Sequence, residues 1–237
     1  MWTLVTYEPV GFISLKLSTA TSTGGKSLLF PTPFAFKMAM LDVILRVEGV
    51  ETGKSLWPAV RDAQLAFSVP ERIVVTNTFT KILRPKKGKP VIDPDSGLIR
   101  SLITSIGFRE YVLWLGPLRV AFKPGDDVGG DWRRWLSMIT YFGKRGGFVQ
   151  AVDVSQNDEL PDGFVSLKPL GETFPAAGIL QVMDDCAPHL TFDHVDIYSN
   201  KNMKVGKDRL LHPLVFPYRL ARTSRGFTLY ERIAATR

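Results

Sequence analysis

Arg72-Ile-Val-Val-Thr-Asn-Thr-Phe-Thr-Lys-Ile-Leu83 and Arg109-Glu-Tyr-Val-Leu-Trp-Leu-Gly-Pro-Leu-Arg-Val-Ala-Phe122 decide how this 237-residue chain is read. Both runs are rich in β-branched and aromatic residues, which suit a pleated, half-buried surface, so they are expected to be neighbouring strands. Between them lies a polar excursion: Arg84-Pro-Lys-Lys-Gly-Lys89, the turn-rich Pro90-Val-Ile-Asp-Pro-Asp-Ser-Gly97, and a return through Leu98 to Gly107. A connection of about 25 residues far exceeds an ordinary hairpin loop and marks a functional protrusion, over residues 84–108. Its root carries Arg84, Lys86, Lys87 and Lys89, so a phosphate backbone is the first partner to consider.

Upstream, Trp2–Tyr7 and Phe12–Leu17 are strand-like, interrupted at Pro9 and Gly11. Thr32 as N-cap and Pro33 at the first helical position predict a helix over Pro33–Val47, since Phe34, Met38, Leu41 and Leu45 then share one face. A second helix is expected over Ser55–Ala66. Downstream, Asp131 caps a helix expected over Asp131–Phe142, with Trp132, Trp135, Leu136 and Ile139 as its apolar stripe and Gly143 in the left-handed position after it. Phe148–Val154 is again strand-like. The order β–α–(α)–β–β–α–β predicts an α+β class and a ferredoxin-like (RRM-like) unit over residues 1–154, an antiparallel sheet with helices on one face. Residues 155–237 carry strand candidates at Gly178–Met183, Leu190–Tyr198, Leu211–Leu220 and Gly226–Ile233, a small β-rich region expected to pack on the first unit.

The single Cys186 excludes an intramolecular disulfide and fits a reducing compartment. The first basic residue is Lys16, so the N-terminus lacks the basic n-region of a signal peptide, and no apolar run approaches the ~18–20 residues of a membrane span. The expectation is a cytoplasmic protein with no membrane partner. Its net charge of +7 is unevenly spread. Residues 1–71 balance to zero; residues 72–150 carry fourteen basic and six acidic side chains, residues 151–199 one and nine, residues 200–237 nine and two. A surface that is only solvated mixes its signs more evenly, so the two basic blocks point to a polyanion. The acidic block between them is either a protein-docking face or a solvated one, and the solvated reading is preferred.

Ala20-Thr-Ser-Thr-Gly-Gly-Lys-Ser27 matches the loose form of a phosphate-binding loop. That chemistry needs a helix starting directly after the loop, and Pro31 and Pro33 forbid one at Lys26, so nucleotide hydrolysis is set aside and Lys26 is kept as a phosphate contact. In Thr140-Tyr-Phe-Gly-Lys-Arg-Gly-Gly-Phe-Val-Gln150, the glycines Gly143, Gly146 and Gly147 allow a tight turn and close approach to a ligand, with the cations Lys144 and Arg145 at its tip. Aromatic and cationic residues interleave at Phe79, Lys81, Arg84, Phe108, Arg109, Tyr111 and Trp114, as on sheets that stack unpaired bases. Alternation buries half of such rings in the core, so no single ring is assigned. For acid–base work there are only His189, His194 and His212, with His194 and Asp196 alternating onto one strand face. Cys186, His189 and His194 have a C-x₂-H-x₄-H spacing, one ligand short of zinc, so no metal site and no cofactor is assigned.

Three of these stretches, in this order, resemble the RAMP superfamily of CRISPR-associated proteins, and within it the subunit that caps the 5′ handle of the guide RNA in type I Cascade complexes (the fifth Cas family). They are the proline-rich helix entry Leu29–Leu41, the pair Asn77–Pro85 and Phe108–Val112 placed like the roots of a thumb hairpin, and Tyr141–Gln150 after the second helix. The resemblance spans roughly residues 2–154 and implies a ferredoxin-like palm with an inserted thumb at about residues 84–108. It also implies a non-catalytic subunit that binds the crRNA 5′ handle, touches the backbone and large subunits of the effector complex, and meets target DNA only through that complex. The RNA contacts expected are Lys26, Lys81, Arg84, Lys86, Lys87, Lys89, Arg109, Lys144 and Arg145. Some members of the family cleave precursor RNA, so a metal-independent endoribonuclease is the alternative, with His194, His212 and Lys144 the first suspects. A second alternative is a standalone single-stranded RNA-binding protein.

Overall fold

A computed structural model describes residues 1–17, 25–89, 91–126, 128–143, 146–167 and 177–233. The chain opens with β1 (Trp2–Pro9) and a short antiparallel pair, β2 (Leu15–Lys16) and β3 (Ser27–Leu28). α1 (Pro33–Glu48) begins where the sequence places it: the Thr32 hydroxyl accepts the Ala35 N–H at 3.1 Å, and Pro33 occupies the first turn. Gly49, at φ 86°, ends α1 and directly starts α2 (Val50–Arg61). The second helix thus lies earlier than Ser55–Ala66, and its expected last turn is instead β4 (Gln64–Ser68). Leu65, Ala66 and Phe67 are all buried there, as in a strand covered on both faces.

β5 (Arg72–Pro85), β6 (Val91–Ile92), β7 (Ile99–Arg100), β8 (Leu102–Trp114) and β9 (Leu118–Lys123) follow. The two stretches that opened the reading do pair, β5 with β8, from Ile73 opposite Trp114 to Pro85 opposite Leu102. Arg109–Phe122 is not one strand, however. Gly116, at φ 137°, and Pro117, which has no N–H to offer a ladder, break it, and β8 and β9 belong to different sheets. β9 pairs with β4 and β1.

α3 (Trp132–Ser137) is shorter than Asp131–Phe142 because Thr140 and Tyr141 turn back to meet Val149 and Phe148. Its stripe is as expected: Trp132, Trp135, Leu136 and Ile139 are buried, while Arg133 and Arg134 are exposed. β10 (Val149–Asn157), β11 (Val165–Ser166), β12 (Ile179–Cys186), α4 (Phe192–Val195), β13 (Arg209–Phe216), β14 (Tyr218–Thr223) and β15 (Phe227–Arg232) complete the described elements. The strand expected at Leu190–Tyr198 is the short α4 and turns, since Thr191 and His194 cap each other as a helix start.

The architecture is mixed α/β with antiparallel sheets. The larger has the order β10-β1-β9-β4-β11. One face carries α1 and α3 through Tyr7, Phe36, Phe122, Phe142 and Trp132, and the Tyr7 hydroxyl donates to the Leu136 carbonyl at 2.7 Å. The other face is small, with Ala66 and Ala121 beside Leu4, and is covered by Trp2, Leu160 and Phe164. The second sheet has the order β14-β15-β5-β8. Residues beyond 155 therefore supply strands to both sheets. Among the described residues, no helix is long and apolar enough to cross a membrane.

Candidate nucleic-acid interface

The β5–β8 hairpin is rooted in the core and then leaves it. Ile73, Val75, Val112 and Trp114 are buried at the base, where the Trp114 indole N–H donates to the Leu29 carbonyl at 2.8 Å. Farther out Phe79 is 71% exposed and Ile106 68%. The hairpin continues past Pro85, with the Lys86 N–H on the Ser101 carbonyl at 2.9 Å, and ends in the β6–β7 turn, where the Asp93 carboxylate accepts the Asp95 and Ser96 amides. The protrusion expected over residues 84–108 is the distal part of this longer hairpin.

Alternation sorts the interleaved rings and cations onto two faces. Trp114 is core. Phe79 lies opposite Phe108, ring centroids 5.2 Å apart, and shares a face with Lys81, Leu83 and Ile106. Arg84, Arg109 and Tyr111 lie on the opposite face with Thr76, Thr78, Thr80 and Ser105. Lys87 and Lys89 are exposed near the tip, and Lys86 is half-buried.

Lys26 joins this hairpin. The Glu110 N–H donates to the Gly25 carbonyl at 2.7 Å, and the Ser27 N–H donates to Glu110 Oε2 at 2.9 Å. A Cβ on Gly25 would collide with the Phe108 carbonyl oxygen, so only glycine lets the loop lie this close to β8. The exposed Lys26 is thereby set beside Arg109 at the hairpin root. Ser27 starts a strand and its hydroxyl donates to the Leu28 carbonyl, which is not the arrangement of a nucleotide-hydrolysing loop. Residues 18–24 of that motif lie outside the described residues.

In the glycine loop, Gly143 and Gly146 have φ of 71° and 118°. Gly143 serves the Tyr141–Phe148 turn, not a helix end, and the Phe142 N–H reaches the Gly147 carbonyl. Lys144 and Arg145 lie outside the described residues. Gly143 borders a cavity of about 370 Å³ with Lys16, Thr32, Phe34, Tyr141 and Arg209. There the Arg209 guanidinium sits 4.3 Å from the Phe34 ring centre and is ion-paired to the buried Asp184.

The histidines are engaged elsewhere. His189 Nε2 lies 2.9 Å from Asp208 Oδ1, His194 Nδ1 lies 2.9 Å from the Thr191 hydroxyl, and His212 sits on β13 opposite Met183. Asp196 ends α4 and does not alternate with His194 on a strand. Burial pushes the Cys186 thiol up to about 12, so it stays protonated. Among the described residues no three His, Cys, Asp or Glu side chains gather to hold a metal ion. Sequence reasoning missed Arg72, Arg219 and Arg222, which share the outer sheet face with Arg84 and Arg109. The basic excess of residues 200–237 was the available signal.

No protein-family model matches the chain. The chain is 23% identical over 206 residues to "CRISPR-associated protein Cas5" of Archaeoglobus fulgidus, an alignment covering 85% of this chain and 86% of that protein. That relative bears the name of the fifth Cas family, the family whose motifs the sequence resembles. A solved structure, "Crystal structure of a CRISPR protein from Archaeoglobus fulgidus", aligns over 98% of this chain and 92% of its own, at 15% identity and a TM-score of 0.46, a likeness too loose to carry an argument.

Proposed function

We propose that this protein is a non-catalytic guide-RNA-binding subunit of a Cascade-like CRISPR effector complex, capping the crRNA 5′ handle and contacting the backbone and large subunits. The similarity to Cas5 supports the CRISPR-associated role. The observation that carries the RNA-binding reading is the hairpin itself, with Lys26 docked beside Arg109 at its root and Lys81, Arg84, Lys86, Lys87 and Lys89 along its length. Cations on a protruding ribbon suit a backbone of closely spaced phosphates better than a small anion.

The sheet order supports a ferredoxin-like palm. Numbered as palm strands, β1, β4, β9 and β10 lie in the order fourth, first, third, second, and every neighbour is antiparallel. The insertion between β4 and β9 is the thumb. Lys144 and Arg145 belong to this site on sequence grounds.

The reading is tested by titrating handle RNA with the purified protein across a salt series. Neutralising Lys86, Lys87 and Lys89 to Gln should weaken all RNA sequences alike and flatten the log–log salt slope by about 2, from roughly 0.7 per phosphate contact. Neutralising Lys144 and Arg145 should flatten it by about 1.4 by the same count. Unchanged affinity in both variants would sink the RNA-binding role. Site-specific cutting of repeat RNA without metal, lost on His194→Ala or His212→Ala, would replace this reading with the endoribonuclease.

A further inference from the structure

Strand register fixes which side chains share the outer face of the β14-β15-β5-β8 sheet. Ile73, Val75, Val112 and Trp114 point into the core, so the residues between them point out. On that outer face Arg222 lies opposite Leu229, which is opposite Val74. In the next row Phe227 lies opposite Thr76, which is opposite Tyr111. Phe12, half exposed, approaches Tyr111 edge-on with ring centroids 6.4 Å apart. Arg219 lies opposite Glu231, which is opposite Arg72, and on the hairpin side of the aromatic row stand Thr78 and Arg109.

The outer face thus gathers Arg72, Arg84, Arg109, Arg219 and Arg222 against one carboxylate, Glu231, which is 3.8 Å from Arg219. A row of rings runs between the arginines. Phe227 and Tyr111 are two strand spacings apart, about 10 Å. Charge on an exposed edge strand also serves to block edge-to-edge pairing, and that would account for Arg219 and Arg222 on β14. It does not account for Arg72 on the interior strand β5, nor for the rings between.

We propose that this face is a second surface for single-stranded RNA, in which Arg219 and Arg222 take phosphates and Phe227, Tyr111 and Phe12 offer ring surface to unpaired bases. The proposal rests on the guide-RNA reading above and extends the contact from the hairpin to the C-terminal strands. Rings flanked by arginines are how sheets hold unpaired bases, because every base has a π-face and every nucleotide a phosphate. The hydroxyls of Thr76, Thr78 and Ser105 on the same face suit a partner with 2′-hydroxyls, which commits the face to RNA.

The probe is a short fluorescein-labelled oligouridine, bound by the full-length protein and followed by anisotropy over a salt series. Arg219→Ala with Arg222→Ala should weaken binding and flatten the salt slope by about 1.4, two contacts at roughly 0.7 each. Phe227→Ala should weaken binding about five-fold or more without changing the slope, since stacking releases no counterions. Arg219→Lys with Arg222→Lys should keep the wild-type slope, which separates a charge contact from a folding defect. Wild-type affinity and slope in the alanine variants, with the Lys86, Lys87 and Lys89 variant still impaired, would overturn this surface and leave the guide-RNA reading standing. Unimpaired binding in both sets would overturn both. A double-alanine variant that binds oligouridine normally yet no longer copurifies with a partner subunit would make the face a protein contact and overturn the proposal. Tighter binding of oligodeoxythymidine than of oligouridine would overturn its assignment to RNA.

Discussion

Lys37 Nζ, on a side chain only 2% exposed, donates to Asp185 Oδ1 at 2.6 Å and to the Arg61 carbonyl at 2.7 Å. One ammonium therefore joins α1, the end of α2 and β12. Removing one member of a buried pair strands the other, so Lys37→Met should lower unfolding stability by about 3–5 kcal/mol in urea titration. Lys37→Met combined with Asp185→Leu should recover most of that loss. A double variant no more stable than the single one would show that the pair contributes through geometry specific to the charges.

Gly25→Ala should detach the Gly25–Ser27 segment from β8, because the added methyl meets the Phe108 backbone and not a side chain that can rotate away. The Glu110 and Ser27 amides would lose their partners together. The expected result is a stability loss of about 1–3 kcal/mol, the usual range for forcing a methyl group into a filled site, and weaker RNA binding as Lys26 moves away from Arg109. Wild-type affinity in this variant would remove Lys26 from the interface.

Thr80 lies opposite Gly107, so residues 81–106 can be replaced by an Asn-Gly turn without shifting the register of the strands below. Since the buried anchors Ile73, Val75, Val112 and Trp114 stay in place, the melting temperature should change little. Under the proposed function, copurification with partner subunits should fail. A shortened protein that is unfolded by circular dichroism would mean that the distal hairpin supports the body.

Asp208 accepts a hydrogen bond from His189 and another from the Lys204 amide, and both hold its carboxyl below the usual carboxylate range. The folded state thus binds this proton less readily than the unfolded state. Its contribution to stability is fully present above the unfolded carboxylate range and is lost as the pH falls through the lower folded value. Asp208→Asn should flatten the acid limb of the stability–pH curve while lowering the neutral plateau. Parallel acid limbs for the two proteins would contradict this.

Cys186, buried and pushed up to about 12, should react slowly with iodoacetamide at mild alkaline pH in the native state and quickly in urea. Labelling followed by mass spectrometry checks this, and fast native labelling would show that β12 opens readily.

The parts of the fold legible in the sequence were those with local chemistry behind them. Thr32-Pro33, the Trp132–Ile139 stripe and the β5–β8 pairing each follow from a cap, a period or a propensity. The failures came where tertiary context decided. Leu65–Phe67 continues an apolar helical pattern and is distinguishable as a strand only by being covered on both faces. The break at Gly116-Pro117 was visible in the residues, but that it sends the chain into another sheet is a matter of long-range pairing. The hairpin cations were legible because they cluster in sequence. Arg72, Arg219 and Arg222 were not, because β15 brings them onto one face from some 150 residues apart, a distance no local pattern spans.

The pairing of β15 with β5 also has a consequence for biosynthesis. Every strand of the larger sheet but the short β11 lies before residue 158, so that sheet can close while the ribosome is still translating the rest. The hairpin sheet cannot. One edge of β5 waits for Phe227–Arg232, which are made long after β5 itself. Until they emerge, β5 presents an open row of amides and carbonyls to whatever strand is nearby. A chain cut short before Phe227 would keep its larger sheet and its hairpin cations, yet carry a sticky edge along β5, so quality control of this protein is expected to be sensitive to the loss of β15.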